Sequence, residues 1–141
     1  MAEPPRRVLI VEDRWMVADA FGRALARTSH FELLPAASNV VAALETCARS
    51  CPDIVLLDAD MPGLDDAWTI DQILRACPGT DIVMMSALPR EATRRRLIRL
   101  GARDLVSTRE AAADLLGILK GTASHGGGET PRHPESGTDW G

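Results

Sequence analysis

Four carboxylates and one hydroxyl stand at or just beyond the ends of apolar runs. Glu12 and Asp13 follow one run, Asp58 and Asp60 follow a second, and Ser86 closes a third. Carboxylates brought together repel one another unless a cation joins them. Oxygen-only ligands suit Mg²⁺, which takes one or two carboxylates together with waters and phosphate oxygens. A nearby hydroxyl can donate a hydrogen bond to a bound phosphoryl group. These residue types therefore indicate metal-assisted phosphate chemistry, provided that the fold brings them together.

The apolar runs themselves predict the strands that would position these groups. Val8–Val11, Ile54–Leu57 and Ile82–Met85 are short, continuous and rich in β-branched residues, which is typical of parallel strands covered on both faces. Phe31–Leu34 and Leu105–Ser107 are weaker and partly polar, as expected of edge strands. The sequence therefore predicts three central strands and two edge strands.

Helical periodicity separates the predicted strands. The spacing of apolar residues follows one helix face in three segments: Val17, Phe21 and Leu25; Ile70, Ile73, Leu74 and Cys77; and Ala112, Leu115, Leu116 and Leu119. Repeated strand–helix units predict an α/β fold, a doubly wound five-stranded parallel sheet with helices on both faces. The strand order 2-1-3-4-5 of flavodoxin-like folds places the two weak strands at the edges, and ligands bind where that order reverses, between strands one and three.

Length and composition limit the classes of protein. The chain has 141 residues, a formal net charge of −4 and a pI near 5.3, which suits one acidic domain and gives no sign of direct nucleic-acid binding. No apolar stretch is long enough to cross a membrane, so we expect a cytoplasmic protein. Residues 1–120 carry the strand–helix pattern. Residues 121–141 are rich in Gly, Pro, Ser and Thr, and we interpret them as a disordered tail or a truncated linker.

The cysteines and tryptophans carry less information. Cys47, Cys51 and Cys77 are odd in number and form no Cys-x-x-Cys pair, which argues against a disulfide framework or a zinc site. We therefore expect small apolar core residues at these positions. Trp15 and Trp68 are likewise interpreted as packing residues.

Several motifs together resemble the receiver domain of bacterial response regulators, the CheY-like superfamily, over residues 6–120. The segment VLIVEDR carries the acidic pair, and LLDADMPG resembles the phosphoacceptor signature of the family. MMSA resembles the fourth strand with its hydroxyl, and LIRLGARDLVS resembles the Gly-Ala stretch that enters the fifth strand. The order and spacing of these motifs identify the chain more strongly than any one of them.

The resemblance implies a role for each site residue. Asp58 would accept a phosphoryl group from a sensor histidine kinase or a phosphotransfer protein, and Ser86 would bind the phosphoryl oxygens. Glu12, Asp13, Asp58 and the backbone carbonyl of Asp60 would hold Mg²⁺. Signalling, and a homodimer, would use the face formed by the fourth helix, the fifth strand and the fifth helix. Such a protein is not expected to be an enzyme beyond slow self-dephosphorylation.

Three positions depart from the pattern of the family. Thr108 stands where receivers carry a lysine, Leu105 replaces the usual aromatic residue, and Asp66 replaces a glycine. Thr108 also lies inside Ser-x-x-Glu, the sequence of a helix capping box formed by residues 107 and 110, which offers a purely structural reading. Arg14, directly after the acidic pair, is expected to overhang the pocket and partly replace the lysine, although its planar fork is an imperfect substitute for an ammonium group.

Two other hypotheses compete with a phosphorylated receiver. A pseudo-receiver would use the same fold as a protein-interaction module without phosphorylation, and the missing lysine favours it. A haloacid-dehalogenase-type phosphatase also carries Asp-x-Asp after an apolar strand, but it carries this motif on its first strand. The basic run on the fourth helix, formed by Arg94, Arg95, Arg96 and Arg99, is read either as a solvated surface or as a site for an acidic partner.

Overall fold

The computed structural model describes residues 3–121, so the predicted tail lies outside the described residues apart from Gly121. Five strands alternate with five helices along this part of the chain. The strands are Arg6–Val11 (β1), Phe31–Leu33 (β2), Ile54–Asp58 (β3), Asp81–Ser86 (β4) and Asp104–Ser107 (β5). The helices are Trp15–Ala26 (α1), Val40–Arg49 (α2), Asp66–Ala76 (α3), Glu91–Leu100 (α4) and Thr108–Lys120 (α5).

The five strands form one parallel sheet in the order β2-β1-β3-β4-β5, which confirms the predicted topology. Every residue of β3 is buried, whereas β2 is largely exposed and β5 only partly buried. The unbroken apolar runs therefore marked the central strands and the mixed runs marked the edges, because only a central strand is covered on both of its faces.

The helices cover both faces of the sheet. On one face α1 and α5 bury Phe21, Leu25 and Leu115 against residues of β1, β3 and β4. On the other face α2, α3 and α4 bury Ala43, Ile73 and Leu97 against the alternate residues of the same strands. Successive strand residues point to opposite faces, so each central strand contributes to both cores. Burial of this kind is the main stabilising term of the fold.

The register of the central strands brings the acidic residues to one edge. Val11 of β1 lies beside Leu57 of β3, so the next residues along the two strands, Glu12 and Asp58, are also neighbours. Asp58 in turn lies beside Met85 of β4. Because parallel strands all end on the same edge of the sheet, the acidic side chains converge without any contribution from the outer strands.

Two expectations from the sequence are wrong. Cys51 and Cys77 form a disulfide with their Cα atoms 5.5 Å apart, although Cys47, a free thiol, and Cys77 are buried in the core as expected. The two half-cystines are distant in sequence but meet because α2 and α3 end side by side. The tryptophans are not packing residues either, since Trp15 is 74% exposed and Trp68 is 51% exposed.

The disulfide predicts one thiol instead of three. Titration of the unfolded, unreduced protein with Ellman's reagent should give one thiol per chain, from Cys47, and three after reduction. Reduction should lower the free energy of unfolding by about 3.5 kcal/mol, the chain-entropy value for a loop of this size, since the two cysteines have a sequence separation of 26. Cys47→Ser is the matched control, because it removes a thiol without touching the crosslink. Three thiols before reduction would contradict the prediction.

Candidate functional site

The acidic residues predicted from the sequence converge at the carboxyl edge of the sheet. Glu12, Asp13 and Asp58 each offer a carboxylate oxygen, and these oxygens all lie within 4.8 Å of one another. Glu12 and Asp58 are each only 2% exposed, whereas Asp13 faces solvent. The site is therefore a pair of buried carboxylates with a third carboxylate at its mouth.

The side chain of Arg14 spans the two buried carboxylates. Its Nε donates a hydrogen bond to Glu12 Oε2 at 3.0 Å, and its second terminal nitrogen, Nη2, donates to Glu12 Oε1 at 3.2 Å. The backbone N–H of Arg14 donates to Glu12 Oε2 as well, at 3.0 Å. Nη2 also lies 3.7 Å from Asp58 Oδ2. The expectation that Arg14 overhangs the pocket agrees with this geometry.

The two buried carboxylates have opposite pKa shifts. Burial and the nearby charge of Glu12 raise the pKa of Asp58 to about 6, against the opposing effects of the Asp60 N–H and Arg14. Burial alone would also raise the pKa of Glu12, but the hydrogen bonds from Arg14 outweigh it and hold this pKa below its usual value. Arg14 therefore compensates Glu12 more fully than Asp58, because it donates its hydrogen bonds to Glu12.

Asp60 contacts both sides of the pocket. Its backbone N–H donates to Asp58 Oδ1 at 2.9 Å. Its carboxylate accepts a hydrogen bond from the Ser86 hydroxyl at 3.0 Å and another from the Ala87 N–H at 2.7 Å. The sequence predicted a role for the backbone carbonyl of Asp60 but not this side-chain link between the loops that follow β3 and β4.

Thr108 occupies the first position of α5, directly after the capping residue. Ser107 Oγ accepts a hydrogen bond from the Glu110 N–H, and a carboxylate oxygen of Glu110 accepts one from the Ser107 N–H, both at 2.9 Å. The capping box suggested by the sequence is thus formed. The position that usually carries a lysine is therefore built into the start of a helix.

The arginines of α4 form ion pairs with residues of this chain. Arg94 pairs with Asp104 at 2.7 Å, and Arg96 pairs with Asp66 of α3 at 3.1 Å. Arg94 and Arg95 both reach Glu91, at 3.4 Å. Much of the basic run is thus already neutralised within the chain, which favours the solvated surface over a site for an acidic partner. Surface pairs of this kind contribute little stability.

A groove of about 580 Å³ lies beside the acidic cluster, between α1 and the segment that follows β2. Trp15, Leu33 and Ala37 line it, and Glu12 and Asp13 lie at one end. Leu33 is 41% exposed within β2. The groove gives Glu12 and Asp13 an apolar neighbour that is open to solvent.

The donor set fits a magnesium ion. Three carboxylate oxygens within 4.8 Å of one another can share one hard cation, and the described residues offer no nitrogen or sulfur ligand in that group. The partial burial of the cluster strengthens the attraction for a cation.

Among the helices described, none is both long enough and apolar enough to cross a membrane.

Comparison with known proteins gives one family for this arrangement. The family described as the response regulator receiver domain matches residues 8–120. A similar protein from Xanthomonas oryzae pv. oryzae, named protein-glutamate methylesterase/protein-glutamine glutaminase 2, is 35% identical over 107 residues. That match covers 74% of this chain but 30% of the relative. A protein of the same name from Anaeromyxobacter dehalogenans is 33% identical over 111 residues. That match covers 79% of this chain and 32% of the relative.

Solved structures share the fold. The receiver domain of the putative response regulator NarL from Mycobacterium tuberculosis superposes with a TM-score of 0.70 at 26% identity, over 85% of this chain and all of that one. The response regulator domain of Thermotoga maritima CheB gives a TM-score of 0.72 at 23% identity, over 82% of this chain and 94% of that one. The flavodoxin-like, CheY-like fold predicted from the sequence is confirmed.

The prediction that this protein is not an enzyme is contradicted by the relatives. Both of the relatives described above carry the name of an enzyme, protein-glutamate methylesterase/protein-glutamine glutaminase. This chain spans about a third or less of their length. The acidic motifs pointed only to a phosphoryl acceptor, and no sequence signal for an ester or amide hydrolase was identified.

The raised pKa of Asp58 predicts a stabilising effect of Asp58→Asn that depends on pH. The folded pKa of about 6 exceeds the ordinary value of 3.8. Compared with the variant, the wild type therefore has its highest free energy of unfolding below about pH 4. It loses this advantage as the pH rises through about 6, because ionised Asp58 destabilises the folded state. At pH 7.5 the variant should be more stable by roughly 1–3 kcal/mol, and urea titrations at pH 4.5 and 7.5 measure the difference.

Asp71→Asn serves as the control for that measurement. Asp71 is an exposed aspartate of α3 paired with Arg75, and its replacement should change the free energy of unfolding by no more than about 0.5 kcal/mol at either pH. Equal effects of the two substitutions at pH 7.5 would show that Asp58 is not destabilised by burial.

Proposed function

This chain belongs to the response regulator receiver domain family, and from that membership we propose that Asp58 accepts a phosphoryl group from a phosphorylated histidine. The donor would be a sensor histidine kinase or a phosphotransfer protein of a two-component system. The observation that carries the proposal is the convergence of Glu12, Asp13 and Asp58 within 4.8 Å at the carboxyl edge of the sheet. That convergence supports the proposal, because it would put the acceptor carboxylate beside the ligands of a charge-neutralising ion.

The proposed step forms an acyl phosphate. An oxygen of the Asp58 carboxylate bonds to phosphorus as the phosphorus–nitrogen bond of the donor histidine breaks. The imidazole nitrogen leaves with the electron pair and takes up a proton from solvent. A pKa of about 6 leaves Asp58 largely ionised at neutral pH, as a nucleophile requires. Bound Mg²⁺ supplies positive charge that offsets the charge of the phosphoryl oxygens.

The other residues hold and orient the acceptor. Glu12, Asp13 and Asp58, with the backbone carbonyl of Asp60, would hold Mg²⁺, since their oxygens fit a hard cation. The Asp60 N–H, bonded to Asp58 Oδ1, fixes the orientation of the acceptor carboxylate. This leaves the attacking group with little rotational freedom, which lowers the entropy lost at the transition state.

The phosphoryl group would change the partner of Ser86. The hydroxyl of Ser86 now donates to Asp60, and in the proposed product state it donates to a phosphoryl oxygen instead. The Ala87 N–H would then be the remaining bond from the loop after β4 to Asp60, so this loop, which leads into α4, would be held less firmly. We therefore propose that the signal leaves through α4, β5 and α5, and that any homodimer forms on the same face. A phosphoryl group of charge near −2 is strong enough to drive such a change.

Incubation with acetyl phosphate and Mg²⁺ should add one phosphoryl group to the wild type, detected by intact-protein mass spectrometry. Asp58→Asn should gain no mass, because the amide cannot form the acyl phosphate. Asp71→Asn, an exposed control on α3, should be modified like the wild type. Omission of Mg²⁺ should reduce the yield, and beryllofluoride should produce the same Mg²⁺-dependent fluorescence change of Trp15 in the wild type and in the control.

The pseudo-receiver is the second candidate, and Thr108 is the observation that favours it. A charge-assisted hydrogen bond from the usual lysine contributes about 1.5–3 kcal/mol to the phosphorylated state. Thr108 at the head of α5 supplies no such charge. A wild type that gains no mass and whose Trp15 fluorescence is unchanged by Mg²⁺ would support this candidate and reject phosphorylation of Asp58.

The names of the relatives suggest an output. We propose that this receiver controls a protein-glutamate methylesterase or protein-glutamine glutaminase activity, because relatives at 33–35% identity are named for it. The test measures methanol release from a methyl-esterified glutamate protein by the catalytic part of the Xanthomonas oryzae relative. Adding this chain should change the rate, and beryllofluoride with Mg²⁺ should change it again. Identical rates under all three conditions would reject the proposal.

The domain boundaries and the location remain proposals as well. We propose that residues 1–120 form the receiver domain and that residues 121–141 serve as a tail or linker. We also propose a cytoplasmic location, where the protein would meet the histidine kinase or phosphotransfer protein proposed as its phosphoryl donor. The chain is not proposed to bind nucleic acid directly. A haloacid-dehalogenase-type phosphatase is disfavoured, because Asp58 ends the third strand and not the first.

A further inference from the structure

We propose that Arg14 is a built-in counter-ion that competes with Mg²⁺ for the acidic cluster, so that metal binding displaces its guanidinium. This inference rests on the proposed Mg²⁺ site and deepens it. The geometry that points to it is the position of one guanidinium against both buried carboxylates, within hydrogen-bond distance of Glu12 and 3.7 Å from Asp58.

Arg14 occupies the atoms that a metal would need. Both carboxylate oxygens of Glu12 accept hydrogen bonds from the side chain of Arg14, and Oδ2 of Asp58 faces the same guanidinium. The other oxygen of Asp58 accepts from the Asp60 N–H. Within residues 3–121, the ion pairs of Glu12 and Asp58 are all with Arg14. The acidic cluster therefore already has a cation in place.

The position of Arg14 in the chain makes it suited to leave. Its side chain is 55% exposed, whereas the side chains of Glu12 and Asp58 beneath it are fully or almost fully buried. Its backbone is anchored, because it precedes α1 and its N–H is bonded to Glu12. The guanidinium can thus rotate into solvent while the backbone stays fixed, and only side-chain contacts are lost. The neighbouring groove and the exposed Trp15 leave room for that movement.

Charge balance requires the competition. A divalent ion and a guanidinium within a few ångströms repel each other, and neither repulsion nor attraction is well screened where the carboxylates are buried. Entry of Mg²⁺ therefore weakens the hold on Arg14, and the presence of Arg14 weakens the affinity for Mg²⁺ by the same factor. A compact ammonium at this position would cover only one carboxylate at a time, so it would compete less.

The test compares Mg²⁺ affinities by isothermal titration calorimetry in the wild type, Arg14→Ala, Arg14→Lys and Arg23→Ala. Arg14→Ala should bind Mg²⁺ about tenfold more tightly, with Arg14→Lys in between. Arg23→Ala is the matched control. It also removes one positive charge, from α1, the helix that Arg14 precedes, but Arg23 pairs with the exposed Asp19. Its affinity should stay within about twofold of the wild type.

A second measurement reports displacement directly. The Nε–H proton of Arg14, bonded to Glu12, should give a slowly exchanging NMR signal that is lost or shifted when Mg²⁺ is added. Arg14→Ala binding Mg²⁺ no more tightly than Arg23→Ala, or an Nε–H signal unchanged at saturating Mg²⁺, would overturn the inference while leaving the proposed function intact. Binding by Arg14→Ala but not by the wild type would support it. Binding by neither would remove both the metal site and this inference.

Discussion

Two carboxylates buried side by side determine the rest of this site. Glu12 and Asp58 end neighbouring strands and are almost inaccessible to water. Their repulsion raises the pKa of Asp58, after the larger effect of burial. A pair of this kind persists only with a cation or a shared proton. The fold supplies one cation itself, through Arg14, and the exposed Asp13 adds a third carboxylate to the cluster, as the proposed Mg²⁺ site requires. The site is therefore defined by what compensates its charge.

The sequence predicted the fold because the strands carry an unambiguous pattern. The centres of β1, β3 and β4 are unbroken apolar runs, Val8–Val11, Ile54–Leu57 and Ile82–Met85, which only central parallel strands require. Once the order is set, the ends of β1 and β3 must meet, so the meeting of Glu12 and Asp58 followed from topology alone. The helix boundary at Thr108 was also readable, because Ser107 and Glu110 form a local capping box that depends on no distant contact.

Side-chain contacts between residues distant in sequence were not predicted. Asp60 was expected to contribute its backbone carbonyl, yet its carboxylate joins Ser86 and Ala87 across two loops. Which partner a flexible carboxylate selects depends on distances that periodicity does not encode. The disulfide was missed for a similar reason, because the spacing of Cys51 and Cys77 in sequence says nothing about where two helices end. The acidic motifs likewise contain no pattern that predicts the methylesterase or glutaminase activity named for the relatives.

The disulfide has a mechanical consequence for the acidic edge. Cys51 and Cys77 both precede strands, so the crosslink lies at the amino edge of the sheet, opposite Asp58. Helix α2 ends just before this crosslink and α3 ends at it, so any tilt of α3 relative to α2 pivots there. The displacement grows along α3, whose 11 residues extend about 16 Å. The largest movement therefore falls at the first turn of α3, where the loop from Asp58 enters the helix.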